Sequence, residues 1–410
     1  MTQYKKIFTS TAILLCSSVL FGQLPVNLDK AVRIALQNNA KLRTENQYVA
    51  YQNALTKTAY TIAPTDFNVE LGQINSVYFD NGLSVSQTFS MPQVYKRRAA
   101  ALLQKAKAAD FYLKMTEAEI RQQLDEIFAE YGYLVSKEAL LAKQDQLYSV
   151  FVEKSLLRWQ KGESDILEKS TAEQQKIQLA QQIAILKQMQ DLISLQLSWL
   201  LNDGQNYVPE VEGLNTLSYN IFYDSLSIRN HPALQAAAQD IESARMNTLA
   251  EKAALLPEWT IGYKNISIRG IGADDKLYQA SDRFSSFQIG IGIPLFQKSI
   301  RAAIASSRLM EAAKANEYEA KKLEILKNIR QQYALYNTYT AQIAEYEQKA
   351  LLNAKLIREV SIAQYENGQI NYLEYVMLNN QAIDIENQYL ELKRNLNMSI
   401  INLYYLTNSY

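Results

Sequence analysis

Residues 95–161 read YKRRAAALLQKAKAADFYLKMTEAEIRQQLDEIFAEYGYLVSKEALLAKQDQLYSVFVEKSLLRWQK, and Gly132 is the only glycine or proline among them. A run this long without breakers, rich in Ala, Gln, Leu, Lys and Glu, predicts a single long helix. At 1.5 Å per residue it extends on the order of 100 Å. That is longer than an ordinary globular domain, so the molecule is elongated. Leu295 to Asn367 contains no glycine or proline at all and predicts a second helix of the same kind.

Working outward, the breakers recur in matched order in the two halves of the chain. Asn38-Asn39-Ala40-Lys41-Leu42 resembles Asn230-His231-Pro232-Ala233-Leu234. Each opens or interrupts a helical stretch that ends at Ala63-Pro64 or Leu256-Pro257, and alternating residues then lead to Met91-Pro92 or Ile293-Pro294. The long helices end at Gly162 and Gly368, and a further helix follows each. The expected organisation is a signal peptide over 1–22 and a first repeat over 23–202. A linker over 203–227 and a second repeat over 228–410 complete it. Seams of three-and-four spacing run through Ile120, Leu124, Ile127, Tyr131 and Leu134, and through Leu179, Ile183, Leu186, Met189, Ile193, Leu197 and Leu200. The second long helix has Ile329, Tyr333, Tyr336 and Ile343, with Thr340 between. These are coiled-coil seams facing partner helices.

The segments between the paired prolines predict β-hairpins, at about 66–91 and 258–293. Phe67, Val69 and Leu71 alternate with polar residues; Leu83, Val85 and Phe89 share a face broken by Gln87. Asp80-Asn81-Gly82 is a tight-turn signal between them. Trp259, Ile261 and Tyr263, then Phe287, Ile289, Ile291 and Ile293, alternate in the second copy. An isolated hairpin of this pattern reads as a half-buried soluble sheet. Two at equivalent places in an exported repeat favour membrane strands of nine to eleven residues with one apolar face. Four strands cannot close a membrane barrel, and an open edge in lipid leaves backbone groups unpaired. Several chains must then share one barrel; three copies supply about twelve strands.

Composition removes other classes. Lys+Arg and Asp+Glu are both 42, so there is no basic excess for nucleic acid. One Cys and one His leave no Cys/His metal site and no His-based triad, so an enzyme and a cofactor are not expected. The eight Met residues form no ligand-spaced cluster, and His231 before Pro232 reads as a capping residue. Gly270-Ile-Gly272 and Gly290-Ile-Gly292 lack the helix that a phosphate loop opens. Lys5 and Lys6 precede an apolar run from Ile7 to Phe21, too short for a transmembrane helix and suited to a signal peptide cut after Gly22. Cys16 offers a lipoprotein alternative, although Leu15 rather than a small residue precedes it.

The whole pattern resembles the TolC-like outer membrane efflux protein family. The carriers are the duplication, the Leu28-Asp-Lys-Ala-Val-Arg-Ile-Ala-Leu-Gln-Asn-Asn39 opening, and the prolines before each hairpin. Two glycine turns add to them: Trp159-Gln-Lys-Gly162-Glu-Ser-Asp-Ile-Leu167-Glu168 and Tyr365-Glu-Asn-Gly368-Gln-Ile-Asn-Tyr-Leu373-Glu374. The resemblance implies a mainly α protein with membrane β. It would be a homotrimeric α-helical tunnel in the periplasm, topped by a shared 12-stranded outer membrane β-barrel. It also implies a periplasmic adaptor and an inner-membrane pump as partners, outer membrane lipid around the barrel, and no catalysis. By that resemblance Gly162 and Gly368 turn the periplasmic tips, where they and Trp159 meet the adaptor. Glu168, Glu374 and Tyr365 line the channel entrance. The family's gating Arg two places after the second glycine is Ile370 here. The expected function is a passive exit duct of a tripartite efflux or secretion system. A heavy-metal cation efflux duct of the same family, or an exported coiled-coil structural protein of the envelope, remains the alternative.

Overall fold

The structure is a computed structural model that describes residues 23–74, 77–218 and 227–407. The expected signal peptide, with Cys16, lies outside these residues. In chain order the elements are β1 (Leu24–Val26), α1 (Leu28–Asn38), α2 (Ala40–Thr56), β2 (Asp66–Gly72), β3 (Asp80–Ser90), α3 (Pro92–Gln160) and α4 (Ile166–Leu201). Then come β4 (Tyr207–Pro209), α5 (Pro232–Ala253), β5 (Glu258–Ser267), β6 (Gly270–Ile271), β7 (Leu277–Tyr278) and β8 (Arg283–Gly292). The last are α6 (Lys298–Glu345), α7 (Leu351–Glu366) and α8 (Tyr372–Thr407).

Helix α3 is 69 residues long, about 100 Å. Its counterpart is not one uninterrupted α-helix. A π-helical turn at Tyr346–Ala350 joins α6 to α7. There Tyr346 Oη donates to Gln388 Oε1 (2.6 Å) and Tyr389 Oη donates to Glu347 Oε1 (2.6 Å), fastening the turn to α8. The returning helices α4 and α8 are each 36 residues. The start signals act as caps: Asn39 Oδ1 accepts from the Lys41 and Leu42 amides, and His231 Nδ1 accepts from the Ala233 amide.

Helix α3 packs against α2, α4, α5 and α8, and α6 packs against α5 and α8. Buried Ile120, Leu124, Ile127 and Phe128 of α3 meet Leu197 and Leu201 of α4 and Leu42 of α2. Each such side chain contributes about 1.5–3 kcal/mol relative to exposure. The seam is partial. Leu179, Leu186 and Leu197 are buried, whereas Met189 and Tyr333 are exposed.

Residues 203–218 do more than connect the copies. β4 pairs in parallel with β1, and Leu214 is buried. The Leu214 amide donates to Ser136 Oγ (2.8 Å), and the Leu217 amide donates to Asn397 Oδ1 (2.9 Å). Asn397 Nδ2 in turn donates to the Asn215 carbonyl (2.7 Å). The segment is a strap across α3 and α8. It also explains Gly132, because a Cβ there would stand 2.8 Å from the Gly213 carbonyl oxygen.

The four long strands form one antiparallel sheet in the order β2-β3-β5-β8. β2 has only seven residues, fewer than the sequence suggests. Asp80-Asn81-Gly82 is not a turn but the start of β3, with Gly82 opposite Ile266. Asp80 Oδ1 accepts from Ser267 Oγ (3.2 Å) and the Arg269 amide (2.9 Å), which holds this end in the sheet. In one chain the sheet is open. Among the described residues no helix is long and apolar enough to cross a membrane.

Candidate functional site

Two regions at opposite ends of α3 carry the functional geometry. At the sheet end, the register aligns what alternation alone leaves on separate strands. Phe67, Val85, Tyr263 and Phe287 form one row across all four strands. Phe89, Trp259 and Ile291 form another, with Gln87, Ile261 and Ile289 between. This face has no cover within the chain: Phe287 is 85% exposed and Ile289 77%. The opposite face is polar. Lys264 Nζ lies 3.0 Å from Glu70 Oε2, the Thr88 and Thr260 hydroxyls are 3.0 Å apart, and Ser90 Oγ donates to Glu258 Oε1 (3.1 Å). Gly290 and Gly292 stand opposite Thr260 and Glu258 on that face. Water solvates the polar face readily, whereas the apolar face is stable only against an apolar medium or another chain.

At the other end each long helix reverses at a glycine. The Gly162 amide donates to the Trp159 carbonyl and the Glu163 amide to the Arg158 carbonyl. The Gly368 and Gln369 amides do the same to Tyr365 and Gln364. Both are Schellman endings, and they require positive φ, +72° at Gly162 and +70° at Gly368. Asp165 then caps α4 by accepting from the Leu167 and Glu168 amides. Asn371 and Glu374 cap each other's amides reciprocally at 2.9 Å.

The two acidic positions therefore do different work. Glu374 is exposed and closes its capping box. Glu168 has a side chain only 12% exposed, and Arg158 Nη1 donates to its Oε1 at 3.0 Å. Burial raises the Glu168 carboxyl above its ordinary pKa, Arg158 pulls it back down, and Asp165 pushes it up. The second copy has Gln364 where the first has Arg158, so no guanidinium draws Glu374 away from its cap.

Tyr365 faces its own chain. It stacks on Tyr375 (centroids 4.9 Å, 12°) and meets Tyr372 edge-on at 6.4 Å. Phe151 completes the cluster, T-shaped to Tyr148, Tyr372 and Tyr375. Ile370 packs at its edge. Trp159 is partly exposed beneath Lys169 Nζ, 4.7 Å from the ring centroid. Tyr148 Oη donates to Asn380 Oδ1, while the buried Tyr372 hydroxyl makes no hydrogen bond. Burial raises the Tyr372 hydroxyl far above the usual tyrosine range, with Tyr148 and Glu168 adding to it. The cluster joins α3 to α7 and α8, so the two helical hairpins share one core at this end. Sequence reasoning missed Phe151, Tyr148, Tyr372, Tyr375 and Arg158. The i, i+3 pairs Tyr148–Phe151 and Tyr372–Tyr375 were the available signal.

Among the described residues no group of His, Cys, Asp and Glu could hold a metal ion. Residues 225–409 match the outer membrane efflux protein family. No curated protein matches the sequence. The fold is similar to that of CusC, at TM-score 0.77 and 18% identity over 94% of this chain and 93% of that one. It is similar to the CmeC outer membrane channel of Campylobacter jejuni, at TM-score 0.76 and 16% identity over 93% and 85%. The MtrE outer membrane channel of Neisseria gonorrhoeae gives TM-score 0.73 and 14% identity over 93% and 88%. The second half of the chain thus matches the outer membrane efflux protein family, and the whole chain, with its paired long helices, two-faced sheet and duplicated order, has the fold of these outer membrane channels.

Proposed function

We propose that three copies of this chain form a passive exit duct across the outer membrane and periplasm. It serves a tripartite efflux or secretion system and catalyses nothing itself. The observation that carries this reading is the sheet. Its outer strands, β2 and β8, each have one unpaired edge, and its apolar face is uncovered. An edge strand in lipid costs several kcal/mol per unpaired backbone group. Pairing β2 of one copy with β8 of the next removes every edge and closes a barrel of about twelve strands. The polar face then lines the pore, and the helices continue it as a tunnel of on the order of 100 Å.

In this arrangement the glycine turns are the periplasmic tips. Trp159, Gly162 and Gly368 meet the adaptor protein there, and an inner-membrane pump delivers substrate through it. Tyr365, Glu168 and Glu374 surround the entrance, with the carboxylates tied to Arg158 and to the Asn371 cap. The test is a detergent-solubilised preparation from the membrane fraction, sized and reconstituted in planar bilayers. A detergent-dependent trimer that conducts, and that copurifies adaptor and pump, is the expected result. A monomer extracted without detergent, or a gene deletion that alters sensitivity to no exported compound, overturns it.

A further inference from the structure

The apolar face of the sheet does not stop where the strands end. Beneath β8 lie Ile293, Leu295 and Phe296, the last 94% exposed, and beneath β2 lie exposed Tyr60 and Ile62. Immediately below this apolar collar comes positive charge. Lys96, Arg97 and Arg98 lie at the start of α3, and Lys298 and Arg301 lie at the start of α6; all five are exposed. Among the described residues none of them is in an ion pair, and the Arg301 guanidinium donates to Gln297 Oε1 (3.0 Å). Neither helix has an acid in its first turn. The first on α3 is Asp110 and the first on α6 is Glu311. Cations here oppose the helix dipole, so helix stability does not account for them. At about 100° per residue, Lys96 to Arg98 spread over more than half the helix circumference, so the charge is not confined to a pore-facing side.

We propose that this collar is a docking surface for anionic phospholipid headgroups in the periplasm-facing leaflet. The inference rests on the membrane reading above. The apolar ring sits among acyl chains, and the five cations pair with phosphates. The depth fits. Lys96 lies about 6 Å along the helix axis from Pro92, and the headgroup layer on each side of a bilayer is about 5–8 Å thick. A polar rim without net charge would serve a zwitterionic surface equally well. Glu251 and Glu258 line a pocket with Arg98, yet the five cations outnumber them, and a net positive rim fits an anionic surface.

The experiment uses the full chain, purified as the detergent trimer and offered to phosphatidylcholine vesicles with or without phosphatidylglycerol. The wild type is expected to insert roughly tenfold better into the anionic vesicles, the scale set by one or two cations at a charged lipid surface. High salt should reduce that preference. The variant K96Q/R97Q/R98Q/K298Q/R301Q should insert into both vesicles as the wild type inserts into phosphatidylcholine alone. A wild type without preference, or a variant that keeps it, overturns the headgroup assignment. A second variant, L295S/F296S, should insert less well into both vesicle types while remaining trimeric in detergent. If it dissociates instead, the apolar collar is a contact between copies and the lipid assignment falls. A wild type that enters neither vesicle overturns the membrane reading itself, an outcome distinct from equal insertion into both.

Discussion

His231 shows how one side chain links helix start, core and pH. It is buried, caps α5 through Nδ1, leaves Nε2 without a partner and meets Tyr405 edge-on at 5.3 Å. Burial, with Lys321 nearby, lowers its pKa from 6.5 to about 4. The unfolded chain therefore takes up a proton between about pH 6.5 and 4 that the folded chain refuses. Stability falls as pH drops through that window, by up to about 3 kcal/mol. His231→Asn keeps a capping acceptor and removes the titration, so its Tm against pH should be flatter than that of the wild type over this range. Identical profiles would show that other groups set the dependence. Glu168 gives the opposite sign. Its carboxyl is raised, so the ionised form is disfavoured in the folded chain, and the stabilising effect of the site is lost as pH rises through its folded pKa. Glu168→Gln should therefore change stability at pH 7 by no more than about 0.5 kcal/mol. Arg158→Gln leaves a shielded carboxylate without its partner and should cost about 1–3 kcal/mol. Thermal melts of the two variants should rank them in that order.

At the scale of an element, Gly132 reverses the usual rule for helices. Glycine inside a helix costs about 1 kcal/mol relative to alanine. Here the added methyl collides with the Gly213 carbonyl, and the strap is held by Ser136 one turn on. Gly132→Ala should lower Tm despite its better propensity, because the strap must lift. An unchanged or raised Tm would mean that the strap yields without cost. On the sheet, Ile291 stands in the exposed apolar row beside Trp259. If that row faces lipid near the midplane, Ile291→Arg should cost about 2–4 kcal/mol of insertion. Its neighbour Gly290 is on the polar face, where the same substitution should instead crowd the pore or strain the backbone. Insertion yields for the two variants separate the faces; equal and mild effects would argue against a lipid-facing strand.

If three copies assemble as proposed, the decisive property of the whole molecule is what their tips present together. Glu374 is exposed at its cap, and Glu168 is paired with Arg158. If these surround the entrance, their summed charge attracts cations. The double variant Glu168→Gln/Glu374→Gln should lower cation selectivity in single-channel recordings without dissolving the trimer, and Arg158→Gln should raise it. The effect should be largest at low salt, where the Debye length reaches about 30 Å at 0.01 M. Wild type and double variant behaving alike at low salt would place both carboxylates outside the conduction path.

The long helices, the duplication and the alternating strands were legible because they are local: breaker spacing and the periods of 3.6 and 2 act within one element. The glycines at the helix ends were legible for the same reason, since positive φ is a demand of a single residue. Tertiary structure decided what depends on partners distant in sequence. It joined the two hairpins through the β3–β5 pairing, which turned four amphipathic strands into one apolar face. It drew Asp80-Asn81-Gly82 into a strand, because Ser267 and the Arg269 amide satisfy Asp80 better than a turn does. It made residues 203–218 a strap. It also sent two equivalent glutamates to different partners, because Arg158 in one copy is Gln364 in the other and only the folded turn brings that position within reach.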